Sequence, residues 1–255
     1  MNFEFDTSLA QKYKSNSQKV RVMSENWVCK NMFCPCCGNP KIDKLDNNSP
    51  VADMQCGNCK SIFELKSKEG NLSKKISDGA YSTMIDRITS TTNPELFVMQ
   101  YSPTYCVTNL TLIPKFFFVP QIIEKRNPLA ITARRAGWTG CNILYSEIPE
   151  QGKIKIIHNS FVSSVDEVVN EYTKIKKLQT SNLEKRGWLL DVLNCVNDIG
   201  SSEFTLRDVY SYVEVLQKKH IYNNNVEAKI RQQLQFLRDK GFIEFLERGH
   251  YRKIV

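Results

Sequence analysis

Cys34-Pro-Cys36-Cys37-Gly and Cys56-Gly-Asn-Cys59 form two Cys-x-x-Cys units, Cys34 with Cys37 and Cys56 with Cys59, with 18 residues between them. Paired knuckles at this separation can wrap four thiolates tetrahedrally around one Zn²⁺ ion. The glycines at 38 and 57 permit the tight turns that aim both sulfurs of a pair inward. Two other readings compete. A redox Cys-x-x-Cys needs only one pair and usually opens a helix, and chance pairing can occur among nine cysteines. Cys36 is the spare thiol, because Cys34 and Cys37 already complete the spacing. Cys29, Cys106, Cys141 and Cys195 have no partner at ligand spacing and are expected to be buried apolar residues.

Charged groups flank the second knuckle. Asp53 precedes Glu64 by 11 residues, about the length of one returning hairpin, and Glu64 is followed by Lys66. On a strand Glu64 and Lys66 point the same way, roughly 6.6 Å apart along the chain. Two carboxylates on adjacent strands, with a nearby main-chain carbonyl, offer oxygen ligands to Mg²⁺. Such a metal acidifies a water and neutralises charge on a phosphate under attack, while the lysine stabilises the developing negative charge. The zinc knuckle then takes the place of the hairpin loop and clamps the strands that carry the ligands. An exposed Glu-x-Lys that is merely solvated is the bland alternative. The three histidines, at 158, 220 and 250, lie away from the knuckles, so a histidine-based nuclease is poorly supplied.

The elements that must position these groups follow from periodicity. Residues 2–32 read as mainly helical, with Ser24 as an N-cap before Trp27. SIFELKS alternates, Phe63 and Leu65 on one face and Ile62, Glu64 and Lys66 on the other, which predicts a strand. ISDGAYSTMIDRITS reads as a helix, and ELFVMQYS and CVTNLTLIP as strands. Residues 114–150 read as irregular, KIKII as a strand, VDEVVNEYTKIKKL as a helix and the polar TSNLEKRG as a linker. Beyond it lie three helical segments and two short strands around Arg248-Gly249, the pattern of a winged helix. The expected division is therefore 1–181 and 182–255, an α/β domain followed by a smaller one.

In the last helical segment Val226, Ile230, Leu234 and Leu237 form a buried stripe. The opposite face carries Asn225, Ala228, Gln232 and Gln235, flanked by Lys229 and Arg231. Asn and Gln suit bidentate reading of adenine, and Ala228 permits close approach. Arg248, His250, Arg252 and Lys253 add charge to the wing. Phe236 falls near the exposed side without an evident reason. In TARRAGWTG, Arg134 and Arg135 for phosphates and Trp138 for bases make a DNA-reading loop. A core anchor is the alternative for Trp138.

Composition narrows the class. A hydrophobic content of 41% over 255 residues suits a folded protein. No apolar run approaches the roughly 20 residues of a membrane span, and the N-terminus lacks a signal core. A cytoplasmic protein is expected. The net charge of +8 is compatible with a polyanionic partner. Residues 182–255 hold 12 Lys+Arg against 10 Asp+Glu, so most of the excess lies in the first domain.

SNSQKVRVMSENWVCKNMFCPCCG, PVADMQC, FELKSKEGN, DGAYSTM, NPLAITARRAGWTGCNI and KIRQQLQFLRDKG together resemble the methyl-directed (type IIM) restriction endonucleases of the PD-(D/E)xK superfamily. The likeness covers nearly the whole chain. It implies a bacterial enzyme with a mixed α/β core, an inserted zinc knuckle and an appended winged helix. Its implied activity is double-strand cleavage at GATC when the adenine is N6-methylated. By that resemblance Asp53, Glu64 and Lys66 are catalytic, Asp53 and Glu64 hold Mg²⁺, and Cys34, Cys37, Cys56 and Cys59 hold Zn²⁺. The Trp138 loop becomes the methyladenine reader of the first domain, and the winged helix a second reader. The proline of the signature is Pro50, three residues before Asp53 and not adjacent to it. The expected partner is methylated double-stranded DNA, met by a monomer. A non-catalytic zinc and winged-helix DNA-binding regulator is the competing class, with Asp53, Glu64 and Lys66 as surface charges.

Overall fold

The computed structural model of the protein describes residues 1–46, 52–90 and 92–254, so Pro50 lies outside the described residues. After a 3-10 turn at Thr7–Ala10, helix α1 spans Asn16–Asn31 and buries Val20, Met23, Trp27 and Val28. The stretch 2–32 is mainly helical as expected, but its first residues are not. Phe5 N–H donates to the Tyr105 carbonyl and Val107 N–H to the Phe3 carbonyl, so residues 3–5 run beside an extended segment instead. Ser15, not Ser24, occupies the N-cap position. Ser24 is buried inside the helix, where its hydroxyl donates to the Arg21 carbonyl.

Strands β1 (Asp43–Lys44), β2 (Met54–Gln55) and β3 (Ile62–Glu69) follow, then β4 (Ile76–Ala80) and helix α2 (Tyr81–Thr89). The segment read as one helix from Ile76 is thus a strand for its first five residues. Pairing of β4 with a distant strand overrides the local helical pattern. Next come β5 (Glu95–Tyr101), β6 (Val107–Ile113), β7 (Ile123–Lys125), β8 (Gly140–Ile143), β9 (Ile154–His158), β10 (Phe161–Val162) and helix α3 (Val165–Lys176). The supposedly irregular stretch 114–150 therefore contains two strands. Their apolar runs are too short to show a period.

A seven-stranded mixed sheet has the order β1-β2-β3-β5-β6-β9-β10, with β3 and β5 parallel and every other pair antiparallel. The central β5 and β6 are mostly buried, with Leu96, Phe97, Val98 and Met99 an apolar run within β5 and Leu110, Leu112 and Ile113 buried on β6. Phe63 of β3 stacks on Phe97 of β5 at 5.0 Å. Helix α3 starts with a Ser164–Glu167 capping box, and its Tyr172 hydroxyl donates to the buried Glu95 at 3.0 Å. A second sheet, β4-β8-β7, carries the arginine-rich segment between β7 and β8.

The C-terminal part comprises α4 (Leu183–Asp198), β11 (Glu203–Thr205), α5 (Leu206–Tyr210), α6 (Val213–Lys219), α7 (Val226–Asp239), β12 (Ile243–Glu247) and β13 (His250–Lys253). Its sheet has the order β11-β13-β12, one strand more than expected. The stripe Val226, Ile230, Leu234 and Leu237 is buried, whereas Asn225, Ala228, Gln232 and Gln235 are exposed. Phe236 is half-buried, with the Lys240 ammonium 5.3 Å from its ring centre.

The polar TSNLEKRG is no free linker. Asn182 caps α4 by accepting from the Lys185 N–H, and Gly187 is buried. Arg186 donates to the Ile88 carbonyl, Asn194 to the Glu147 carbonyl, and the amides of Gln151 and Asn197 bond reciprocally at 2.9 and 2.8 Å. The winged helix is docked on the α/β part along one side of α4. No helix among the described residues is long and apolar enough to cross a membrane.

Candidate active site and metal centre

The four cysteines Cys34, Cys37, Cys56 and Cys59 converge as their spacing predicts. Their sulfurs all lie within 4.8 Å of one another, and the cluster could hold a zinc ion. Cys34 to Cys59 is 3.6 Å and Cys37 to Cys56 is 3.7 Å. A tetrahedral zinc with bonds of about 2.3 Å needs sulfurs about 3.8 Å apart. Each knuckle is built by its own backbone. Gly38 N–H donates to the Cys34 carbonyl and Lys60 N–H to that of Cys56, with Gly38 and Lys60 both at positive φ, 74° and 61°. Asn39 and Asn58 aim side-chain N–H groups at Cys56 and Cys37, each at 3.6 Å. Burial works against the Cys56 thiolate, but the N–H groups of Cys59 and Asn58 outweigh it and bring the thiol down to about 7. Cys36 stays outside the cluster. Cys141 and Cys195 are buried as expected, while Cys29 and Cys106 are half-buried.

The second knuckle forms the turn between β2 and β3. Met54 pairs with Phe63 and Gln55 with Ile62, and the hairpin carries Asp53 back towards Glu64. Asp53 N–H donates to the Phe63 carbonyl at 2.9 Å, and its Oδ2 accepts from the Leu65 N–H at 2.9 Å, which brackets Glu64 between two contacts. Burial raises the Asp53 carboxyl above its ordinary value, against the Leu65 hydrogen bond. Glu64 is likewise raised by burial, with Lys66 opposing.

Lys66 Nζ sits 2.7 Å from Glu64 Oε1, so the two side chains share a face of β3 as alternation requires. A third carboxylate joins them. Asp78 on β4 places Oδ1 2.5 Å from Lys66 Nζ, with its side chain 8% exposed. Burial disfavours the Lys66 ammonium, but Glu64 and Asp78 outweigh it and hold its pKa above the ordinary lysine value. Arg87 of α2 reaches Glu64 Oε2 at 3.6 Å. Neither Asp78, which falls in a stretch with a helical pattern, nor Arg87 stands out in the sequence as part of this group. The Ser-Asp-Gly triplet at 77–79, a breaker inside an apparent helix, was the available signal. A cleft of about 710 Å³ between α1 and β3, bordered by Arg21, Leu65, Lys66, Lys68 and Lys75, does not reach Asp53, Glu64 or Asp78.

A model of the Dam-replacing family (DpnI) matches residues 1–181, and a model of the Dam-replacing helix-turn-helix domain matches residues 184–253. The chain belongs to the Dam-replacing family. In this member of the Dam-replacing family the helix-turn-helix domain implies DNA binding. Within it, Asn225 is exposed and Lys229 donates to Gln232 Oε1 at 3.3 Å. Arg231 bonds the Tyr210 hydroxyl and lies 3.8 Å from Glu227. The wing carries less free charge than its composition suggests. Arg252 pairs with Glu203 and Glu244, Lys253 donates to the Ile199 carbonyl, and His250 lies 3.4 Å from Glu247.

Between β7 and β8, Arg134 and Arg135 are exposed and Trp138 is half-buried. Trp138 is not in the core. The Arg135 guanidinium lies 4.6 Å from its ring centre, and the ring also approaches Gly140, where a Cβ would fall 2.9 Å from it. Glycine at 140 is what allows the indole to lie against the backbone. Hydrogen bonds Leu129 N–H to Trp138 carbonyl and Gly137 N–H to Leu129 carbonyl close the loop.

Proposed function

We propose that this protein is a Mg²⁺-dependent endonuclease of the PD-(D/E)xK type that cuts both strands of DNA at GATC sites carrying N6-methyladenine. The observation that carries the reading is the burial of Glu64, Lys66 and Asp78 as a bonded group, with Asp53 anchored one strand away on the Leu65 amide. Charges that served only solubility would stand in water, as the regulator reading requires. Here the side chains of Glu64 and Lys66 are 18% and 25% exposed.

Asp53 and Glu64 offer hard carboxylate oxygens of the kind Mg²⁺ takes, and burial of both raises the cost of leaving them without a cation. When bound, Mg²⁺ supplies an acidified water and neutralises phosphate charge. Lys66, kept protonated by Glu64 and Asp78, would stabilise negative charge on the phosphate as the bond to the leaving oxygen breaks. Zn²⁺ on Cys34, Cys37, Cys56 and Cys59 would brace the β2–β3 turn and so fix Asp53 against Glu64. Arg134 and Arg135 would contact phosphates and Trp138 the base, with Asn225, Lys229, Arg231 and Gln232 reading the same site from α7. The protein would act as a monomer in a bacterial cytoplasm.

The test is Lys66→Ala. Cleavage of methylated duplex should fall at least about 100-fold, the scale of losing one charge-stabilising group, with duplex affinity unchanged. Full cutting by this variant at saturating Mg²⁺ contradicts the catalytic assignment.

A further inference from the structure

Asp78 belongs to the small sheet, not to the sheet that carries Glu64 and Lys66. The β4–β8 ladder runs Ile76 to Ile143, Ser77 to Asn142 and Asp78 to Cys141, and then slips by one residue so that Ala80 faces Gly140. A bulge of this kind bends a strand and re-aims the side chain next to it. At this one Asp78 turns inward, its Oδ1 accepting from the Gly79 N–H at 2.7 Å and from Lys66. The same ladder leads into the arginine loop. Tyr81 N–H donates to the Thr139 carbonyl at 3.0 Å, and Trp138 lies on Gly140, the partner of Ala80. Gly79 alone thus separates Asp78, the lysine's second anchor, from Ala80, which pairs with the backbone under Trp138.

We propose that Asp78 is a positioning residue which holds the Lys66 ammonium over Glu64 and makes that placement depend on how the Arg134–Trp138 loop is seated. The proposal rests on the catalytic reading of Lys66. A lysine side chain has a flexible four-carbon stem, and Glu64 alone leaves it free to pivot about one contact. Asp78 is the second contact, from a different sheet. Because Asp78 is set by the bulge opposite Cys141 and Gly140, a shift of the β8 backbone on engaging DNA moves the anchor with it. Discrimination between methylated and unmethylated sites would then enter the rate of cutting as well as binding.

Asp78→Asn tests this, since it keeps the shape and removes the charge. Single-turnover cleavage of methylated and unmethylated GATC duplexes is measured beside equilibrium binding of both without Mg²⁺, with zinc content and melting temperature as controls. The methylated rate should fall on the order of 10–100-fold, the usual effect of losing a group that orients a reacting one. The ratio of methylated to unmethylated cutting should shrink while the ratio of affinities, the zinc content and the melting temperature hold. Asp78→Glu should recover part of the rate. Cutting by Asp78→Asn at the wild-type rate overturns the proposal, as does a loss of affinity or zinc that parallels the loss of rate. If Lys66→Ala also cuts normally, the catalytic reading has failed. If Lys66→Ala is dead while Asp78→Asn is normal, only the role of Asp78 has failed.

Discussion

Replacing Asp191 by alanine should destabilise the C-terminal part by about 2 kcal/mol, in a way that depends on pH. Asp191 on α4 accepts from Lys219 Nζ and from His220 Nε2, each at 2.8 Å, and Lys219 continues to Glu147 of the α/β part at 2.9 Å. The Lys219 side chain is 36% exposed and retains Glu147, so solvent screens its loss of a partner and that share stays small. His220 differs. Its side chain is 6% exposed and its ring stacks on Trp188 at 3.8 Å, so it cannot turn towards water. An imidazole nitrogen left buried without a partner costs about 1–3 kcal/mol. Burial works against the Asp191 carboxylate, but His220 and Lys219 outweigh it and hold its pKa below the ordinary value. A carboxyl lowered in the folded state contributes stability above its unfolded value of about 3.9 and loses it as pH falls through the folded value. Urea unfolding of wild type and Asp191→Ala, followed by circular dichroism, should therefore show the full gap at about pH 5 and a shrinking gap below about pH 4. A gap under about 0.5 kcal/mol at pH 5, or one that widens towards pH 3, refutes a stabilising role for the hydrogen bonds of Asp191.

Zinc analysis of the purified protein should give one ion per chain. Cys59→Ser should lose the metal and yield insoluble or inactive protein, because binding at such a site is itself folding free energy, on the order of 10 kcal/mol in small zinc peptides. Cys36→Ser, outside the cluster, should keep both metal and activity. Trp138→Ala should lower the preference for methylated over unmethylated duplex in a binding titration with little loss of melting temperature, since Trp138 packs on Arg135 and Gly140 and not in the core. A large drop in melting temperature would make it a structural residue after all.

What the sequence made legible was local. Each knuckle is a pair of ligands three residues apart, and the Glu64–Lys66 face follows from alternation, so both need only near neighbours. The buried stripe of α7 is legible for the same reason. Asp78 reaches Lys66 across a boundary between two sheets, through a ladder with residues 140–143, and no local pattern encodes that pairing. The body of α4 was expected, but its first turn and its docking were not, because the residues that cap and open a helix are the polar ones that also mark a linker. Asn182 and Glu184 serve as cap and first-turn acid here. Its docking partners Ile88, Glu147 and Gln151 lie some 40 to 100 residues away in the chain.

Plasmid digestion decides whether the protein cuts DNA in a methyl-directed, metal-dependent way. One plasmid, prepared with and without adenine methylation at GATC, is incubated with the purified protein in the presence and absence of Mg²⁺. Double-strand fragments are expected from the methylated plasmid with Mg²⁺, and intact DNA in the other three reactions. Equal digestion of both plasmids would contradict the specificity. Tight binding of the methylated plasmid with no cutting at any Mg²⁺ concentration would contradict the nuclease and leave the DNA-binding regulator.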